Sequence, residues 1–299
     1  MFSRALAGVL APLVVLSAEQ GRAPSELEEA LRQADKSRQE YVSAFRDLIG
    51  VETRVTELLN KNGTAEKQRT VVSDFLVYRS RFQTDDVTEC RITREVDGKT
   101  ARNPTDEAMK LFQKLAKANT ASEENQALRE QNAKHVLRFL IWGLTTYPIP
   151  WVRQHLRPGF DFTVGHEDLA GRDAIVLGYQ SKELGRATTY TTLFRRFKNP
   201  RSDWRGRVWM DSRDWHIRRW VEDLTVVDDD ITSPGVLLHK EIEYEPSPLG
   251  GNLPARILTS NFDKSAQTLK PVTRITFTYG GFKRFDVMTA TEFKKAGGE

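Results

Sequence analysis

Residues 204–227 decide the fold, and they read WRGRVWMDSRDWHIRRWVEDLTVV. Two runs rich in Trp, Val and Ile flank the polar tetrapeptide Asp211-Ser212-Arg213-Asp214, and this pattern predicts a β-hairpin. Along the second arm, apolar and polar side chains alternate, with Trp215, Ile217, Val221 and Val227 on one parity and His216, Arg218 and Glu222 on the other. One face of this strand therefore enters a core and the other meets water. Arg219 interrupts the alternation, which snorkelling, ion pairing or a β-bulge would each explain.

Further strand-like runs surround this hairpin. Three lie before residue 100 and several follow Phe160, and clusters of Gly, Pro, Asn and Asp separate them at the spacing of a meandering antiparallel sheet. A helical pattern occupies an insertion from about residue 105 to residue 153. Because the strands bracket the helices rather than alternate with them, the sequence predicts one α+β domain over residues 19–299. A β-sandwich with appended helices is the alternative fold.

Two helical segments are candidates to cover such a sheet. Ser25 and Glu28 form a capping box, and apolar residues then recur at helical spacing as far as Leu48. This pattern predicts an amphipathic helix of about six turns. The second segment, His135–Trp151, contains the most apolar run of the mature chain and is stopped by prolines near its end. It is too short to span a membrane.

The N-terminus has the pattern of a secretory signal peptide over residues 1–18. Arg4 precedes the apolar run Ala5–Leu16, and small residues follow, so we expect cleavage after Ala18. Retention of the segment as a signal-anchor is the alternative. The sole cysteine, Cys90, excludes an internal disulfide framework and is expected to be a packing residue. The sequence thus predicts a periplasmic or secreted protein.

The charge pattern limits the classes of partner. The chain carries a net charge of +4 with acids and bases mixed along its length, which speaks against a nucleic-acid partner. Basic clusters at Arg195–Lys198 and Arg218-Arg219 would allow peripheral contact with anionic lipid head groups of a membrane. Solvated strand ends are the alternative explanation of these clusters.

No local pattern marks an active site or a metal site. The five histidines occur at no spacing that would place two of them on one face of a helix or strand. The sequence contains no glycine-rich phosphate loop, no G-x-S-x-G elbow and no serine–lysine pair. We therefore expect no enzyme activity, no metal and no cofactor. A secreted hydrolase that uses scattered residues such as His166, Asp168 or His216 is the rival interpretation.

Large aromatic side chains are the remaining signal. Six tryptophans and many phenylalanines exceed what a one-layer sheet buries, unless helices or a ligand cover it. A core between sheet and helices would account for most of them.

The order of these parts resembles the periplasmic lipoprotein-carrier superfamily. The likeness rests on the signal peptide, the N-terminal helix, a strand break at Val96–Lys99, the helical insertion and two motifs, Arg207–Asp211 (RVWMD) and Tyr279–Phe285 (YGGFKRF). It implies a curved antiparallel sheet, an incomplete β-barrel, whose concave apolar face is covered by helices. We expect the helix Ser25–Leu48 and the segment His135–Trp151 to form that cover.

The resemblance also implies a function. Proteins of this superfamily carry or sense lipid or acyl chains in the periplasm, so the expected partner is a lipid or a lipidated protein. An apolar cavity holds such chains without a catalytic group. The candidate lipid-binding residues are Phe139, Trp142 and Trp151 on the covering segment and Trp209 and Trp215, both on the apolar face of the hairpin. A periplasmic interaction protein with a filled core and no ligand is the alternative.

Overall fold

The computed structural model describes residues 25–44, 47–78, 80, 82, 88–135, 152–183, 185–186 and 197–284. The predicted signal peptide lies outside these residues. The described chain contains three α-helices and twelve β-strands, in the order α1 (Glu26–Ala44), β1 (Leu48–Leu59), β2 (Ala65–Tyr78), β3 (Thr88–Val96), β4 (Lys99–Thr100), α2 (Pro104–Lys117), α3 (Ala121–Asn132), β5 (Phe160–Asp168), β6 (Asp173–Ser181), β7 (Gly185–Arg186), β8 (Arg201–Asp211), β9 (Ile217–Val227), β10 (Gly235–Pro246), β11 (Asn252–Ser265) and β12 (Thr268–Arg284). A short 3-10 helix, Arg157–Gly159, precedes β5.

All twelve strands belong to one sheet with antiparallel pairing. The order across the sheet is β4-β3-β2-β1-β12-β11-β10-β9-β8-β6-β5, and β7 pairs with β8. The edge strands β4 and β5 do not pair with each other within the described chain, so the sheet stays open. One sheet rather than two stacked sheets excludes the β-sandwich alternative. The structure confirms the predicted α+β incomplete barrel.

The sheet is curved, and its concave face holds one continuous core. This core contains residues from β2, from β6 and from the strands between them in the sheet order, among them Phe75, Ile257 and Leu177. Burial raises the pKa of Tyr244 on β10 well above its usual range, and the carboxylates of Glu89 on β3 and Glu222 on β9 add to the shift.

Helix α1 lies on the concave face, as predicted. Its capping box is formed, because the backbone N–H of Ser25 donates to Glu28 Oε2 at 2.7 Å and the backbone N–H of Glu28 donates to Ser25 Oγ at 3.3 Å. The helix ends at Ala44, short of the predicted end at Leu48. Leu48 instead begins β1 and enters the same core from the sheet side, which explains why the helical spacing of apolar residues continued to it.

Helices α2 and α3 lie within the predicted insertion and pack on the opposite, convex face. A separate core joins them to β2 and β3 through Leu76, Cys90, Ile92, Leu111, Ala127 and Leu128. Apart from His135, the predicted covering segment His135–Trp151 lies outside the described residues. None of the described helices is long and apolar enough to cross a membrane.

A β-bulge in β9 changes the face predicted for the second arm of the hairpin. Met210 pairs with Ile217 whereas Trp209 pairs with Arg219, so β9 contains one extra residue between these pairs. The alternation beyond Arg219 is reversed. Glu222, which the sequence pattern places on the water-facing side, is buried on the concave face instead.

Candidate ligand-binding face

A row of large apolar side chains crosses the concave face. Its members lie directly opposite one another on β6, β8, β9, β10, β11 and β12, and we call them the apolar row: Leu177, Val208, Trp220, Ile242, Ile257 and Phe277. Each is at most 3 % exposed. At about 4.8 Å between strands the row is about 24 Å long. Burial of each side chain stabilises the fold by about 1.5–3 kcal/mol.

Helix α1 packs over this face through small and aromatic side chains. Its 19 residues make it about 28 Å long, enough to cross several strands. Ala30 and Ala34 are fully buried, so the helix backbone approaches the sheet closely. Near the other end, the ring of Tyr41 packs edge-on against Tyr244 of β10, with ring centroids 5.9 Å apart.

Two histidine–carboxylate pairs join α1 to the sheet. His166 Nε2 on β5 lies 2.7 Å from Glu26 Oε1, and this hydrogen bond raises the pKa of His166. His216 Nε2, in the turn between β8 and β9, lies 3.8 Å from Glu40 Oε2. Both pairs are partly or largely exposed, so they add little to stability. A third polar contact is the hydrogen bond that Arg157 Nη2 donates to the backbone carbonyl of Leu31 at 3.1 Å.

Aromatic rings form a second apolar feature of the concave face. Tyr279 lies at its centre, with ring centroids 5.0 Å from Phe75, 6.3 Å from Phe277 and 6.4 Å from Phe282. The lack of a side chain at Gly50 leaves room for Phe282, because a Cβ at position 50 would lie 2.7 Å from the Phe282 ring. Tyr279 and Phe282 belong to the YGGFKRF motif, so the motif supplies part of this cluster.

A buried ion triad lies beside the aromatic cluster. Arg91 Nε lies 2.8 Å from Glu52 Oε1, and Arg91 Nη2 lies 3.0 Å from Glu89 Oε2. The three side chains are at most 7 % exposed, and the guanidinium stands 4.9 Å from the Phe75 ring centroid. Burial opposes the charge of Arg91, but the two carboxylates outweigh burial and hold its pKa above the usual value. The concave face is therefore not uniformly apolar.

A hydrogen-bonded network lies beside the apolar row, two residues along β6, β8 and β9 from the members of the row. The hydroxyl of Tyr179 donates to Glu222 Oε1 at 2.7 Å and accepts from Trp220 Nε1 at 2.8 Å. Gly206 lies between them on β8, and a Cβ there would meet the Tyr179 hydroxyl at 2.4 Å. Lys240 Nζ stands 4.8 Å from the Trp220 ring centroid, and burial lowers the pKa of Lys240.

The two described tryptophans of the sequence prediction are not brought together. Trp209 lies on the convex face, where its ring sits between the guanidinium groups of Arg207 and Arg219 at 4.7 and 5.0 Å and its Nε1 donates to Glu167 at 2.9 Å. Trp215 packs against the core of the concave face. The prediction placed both on one face of the hairpin. They separate because Trp215 sits in the turn with φ 60°, where strand alternation does not hold.

The remaining candidates, Phe139, Trp142 and Trp151, lie outside the described residues. Trp220, which is central to the apolar row, is not among the residues predicted from the sequence. The β-bulge before Trp220 reverses the alternation of faces along β9, so the sequence pattern does not place Trp220 on the core side. The buried charges were missed as well, because Glu52 and Arg91 become neighbours only through strand pairing.

The two histidines named as catalytic candidates each lie beside carboxylates. His166 contacts Glu26 and Asp173, and His216 contacts Asp214 and Glu40. Burial raises the pKa of Cys90 to about 12, so its thiol stays protonated at neutral pH. Across the part of the chain that the structure describes, no three His, Cys, Asp or Glu side chains group as metal ligands would.

Comparisons with known proteins give a likeness of fold. No protein-family model matches the chain, and no curated protein matches it. The fold is similar to a crystal structure described as an outer membrane lipoprotein-sorting protein domain from Vibrio parahaemolyticus, with a TM-score of 0.40 and 11 % sequence identity. The superposition covers 91 % of this chain and 98 % of that chain.

Proposed function

We propose that this chain is an exported, periplasmic binding protein that holds a lipid or acyl chain, free or attached to a lipidated protein, on its concave face. The observation that carries the proposal is the apolar row, a continuous apolar path on one face of an open sheet. Among the described α-helices, α1 alone lies above that face, and its ion pairs with the sheet are exposed.

The energetics support binding of a chain between α1 and the row. Each methylene removed from water contributes about 0.8 kcal/mol. A chain of ten or more methylenes, on the order of 8 kcal/mol by that rule, outweighs the loss of two exposed ion pairs and of the hydrogen bond from Arg157 to Leu31. The helix would re-form its apolar contacts on the ligand. Such binding needs no catalytic group, and we propose that the protein acts without catalysis.

The candidate contact residues follow from this placement. Trp215 packs against the core of the concave face and precedes His216, which pairs with α1. We propose that Trp215 touches the ligand at the rim. Phe139, Trp142 and Trp151 remain candidates on the strength of the sequence alone.

One observation favours a second candidate function. The members of the apolar row are at most 3 % exposed, as expected of a filled core that needs no ligand. A periplasmic interaction protein with such a core is the alternative. The two functions differ in whether α1 separates from the sheet to admit a chain.

The test uses the exported full-length protein, purified from a bacterial periplasm. Native mass spectrometry and lipid extraction should find heterogeneous acyl species bound to it. Trp215→Ala should retain less lipid, whereas Trp209→Phe, on the convex face, should retain as much as the unaltered protein. Thermal unfolding confirms that both variants are folded. A protein that emerges lipid-free and takes up no fluorescent fatty acid leaves the filled-core interaction protein as the function.

A further inference from the structure

Arg54 is a buried cation with few partners. It lies on β1 directly opposite Phe277, so it continues the apolar row by one strand, and it is 5 % exposed. Its Nη2 donates to the backbone carbonyl of Lys134 at 3.2 Å. Its Nε has no hydrogen-bond partner among the residues that the structure describes. A guanidinium carries five N–H donors, and leaving buried donors unpaired is costly.

Arg69 places a second guanidinium on the same face. Arg69 on β2 is directly opposite Thr56, two residues along β1 from Arg54, so the two arginines are diagonal neighbours about 7–8 Å apart at their Cα atoms. The Nε of Arg69 is also buried and without a hydrogen bond in the described chain. Arg69 forms a partly exposed ion pair with Asp97, whose Oδ2 lies 3.6 Å from this Nε, a separation too long for a hydrogen bond.

His135 lies next to these arginines in the structure. It directly follows Lys134, whose backbone carbonyl accepts the hydrogen bond from Arg54 Nη2 at 3.2 Å. Partial burial lowers the pKa of His135, and the charges of Arg69, Arg54 and Lys134 lower it further, against the opposing effect of Glu107. The residue is accessible to solvent, so it stands where the region around Arg54 and Arg69 meets water.

The neighbouring carboxylates are already engaged. Glu52 and Glu89 share Arg91, and Glu107 pairs with Lys134. The carboxylate of Glu52 is the nearby charge that most favours the protonated form of Arg54. Both oxygens of Glu52 nevertheless accept hydrogen bonds from Arg91. Arg54 forms no ion pair with a carboxylate in the described part of the chain.

We propose that Arg54 and Arg69, with His135 beside them, bind a phosphate-type oxyanion as the head group of an amphiphilic ligand. Planar guanidinium forks match phosphate oxygens through paired hydrogen bonds. The acyl part rests on the proposed function: the chain lies along the apolar row, and the head group lies one strand further, where Arg54 stands opposite Phe277. Free phosphate has the same chemistry, so an experiment must separate the two sources.

Three probes distinguish binding of the head group from binding of the acyl chain. They are inorganic phosphate, dodecyl phosphate and dodecanol. Binding is measured by calorimetry, and the pKa of His135 is followed by NMR, with His239 on the convex face as internal reference. Dodecyl phosphate should bind more tightly than either of the other probes. Both phosphates should raise the pKa of His135, because a nearby negative charge favours the protonated imidazole, and should leave His239 unchanged.

Variants assign the effect to the two arginines. Arg54→Met and Arg69→Met should each lose at least about tenfold in affinity for dodecyl phosphate, as expected for a hydrogen bond to a charged group, with little change for dodecanol. Arg54→Lys keeps the positive charge but lacks the paired donors of the guanidinium, so it should lose part of the affinity. This variant replaces Arg54→Met in the test if Arg54→Met does not fold. The matched control is Arg274→Met, which removes an exposed arginine 3.5 Å from Glu57 on the convex face.

The outcomes distinguish this site from the proposed function. Equal affinity for dodecyl phosphate and dodecanol, in wild type and Arg54→Met alike, overturns the anion site and leaves acyl binding standing. Binding of inorganic phosphate that depends on Arg54, with neither amphiphile bound, overturns the amphiphile and the proposed function but keeps the anion site. No response of His135 to any probe overturns the site entirely.

Discussion

At the scale of single residues, the concave face depends on charges that satisfy one another. Arg91 serves two buried carboxylates, Glu52 and Glu89. Arg91→Met should lower the free energy of unfolding by about 3–5 kcal/mol, because it removes the cation that the two buried carboxylates share. Urea unfolding measures the change. Arg94→Met is the control, since Arg94 is half exposed in its pair with Asp74 and should cost less than about 1 kcal/mol. Equal losses in the two variants would show that the triad has no special role.

A glycine tests the hydrogen-bonded network next to the apolar row. Gly206→Ala should lower the free energy of unfolding by about 1–3 kcal/mol, because the new Cβ would lie 2.4 Å from the Tyr179 hydroxyl and force it away from Glu222. Gly165→Ala is the matched control, since Gly165 is also in a strand and nothing lies within 4 Å of a Cβ there. The packing described for Tyr179 is wrong if both variants unfold at the same urea concentration.

At the scale of elements, the attachment of α1 should depend on pH. The pKa of His166 is raised above 6.5 mainly by its hydrogen bond to Glu26. A raised pKa in the folded state means that the pair contributes fully below about pH 6.5 and that its contribution is lost as pH rises through the raised value. In Glu26→Gln the pKa of His166, followed by NMR, should fall towards 6.5. His239, whose pKa is raised by Asp223, should not move. An unchanged His166 would mean that Glu26 does not hold it.

Local sequence signals predicted the elements better than their faces. The capping box at Ser25 and the turn after Asp211 act within a few residues, so both are legible in the sequence. The bulge in β9 depends on which residues of β8 it pairs with, and a shift of one residue moves Trp220 and Glu222 to the concave face. The strand pattern of the hairpin alone could not locate that shift.

At the scale of the whole molecule, the concave face combines an apolar path with a charged end at β1. The order of the elements in the sequence was enough to predict the incomplete barrel. The buried charges could not be predicted in this way, because they become neighbours only through pairing between distant parts of the chain. Arg54 meets Phe277 only because β1 pairs with β12. No local pattern in the sequence predicts that contact. An amphiphile would find both an apolar row and a cationic end on this face.

The most direct test of acyl binding beneath α1 fixes that helix to the sheet. A Cβ on Gly251, in the turn between β10 and β11, would lie 3.8 Å from the Cβ of Ala44 at the end of α1, which is about the usual separation in a disulfide. The double variant Ala44→Cys/Gly251→Cys should therefore lock the helix when oxidised. Gly251→Cys alone is the control for strain, because Gly251 has φ +65°.

The measurement is labelling by a photoactivatable fatty acid, with the cross-linked residues mapped by mass spectrometry. Under reducing conditions the label should fall on α1 and on the strands of the apolar row. Oxidation should abolish most of the labelling, and a reductant should restore it. Equal labelling in the oxidised and reduced states, or labelling confined to the convex face around Trp209, would contradict acyl binding between α1 and the sheet.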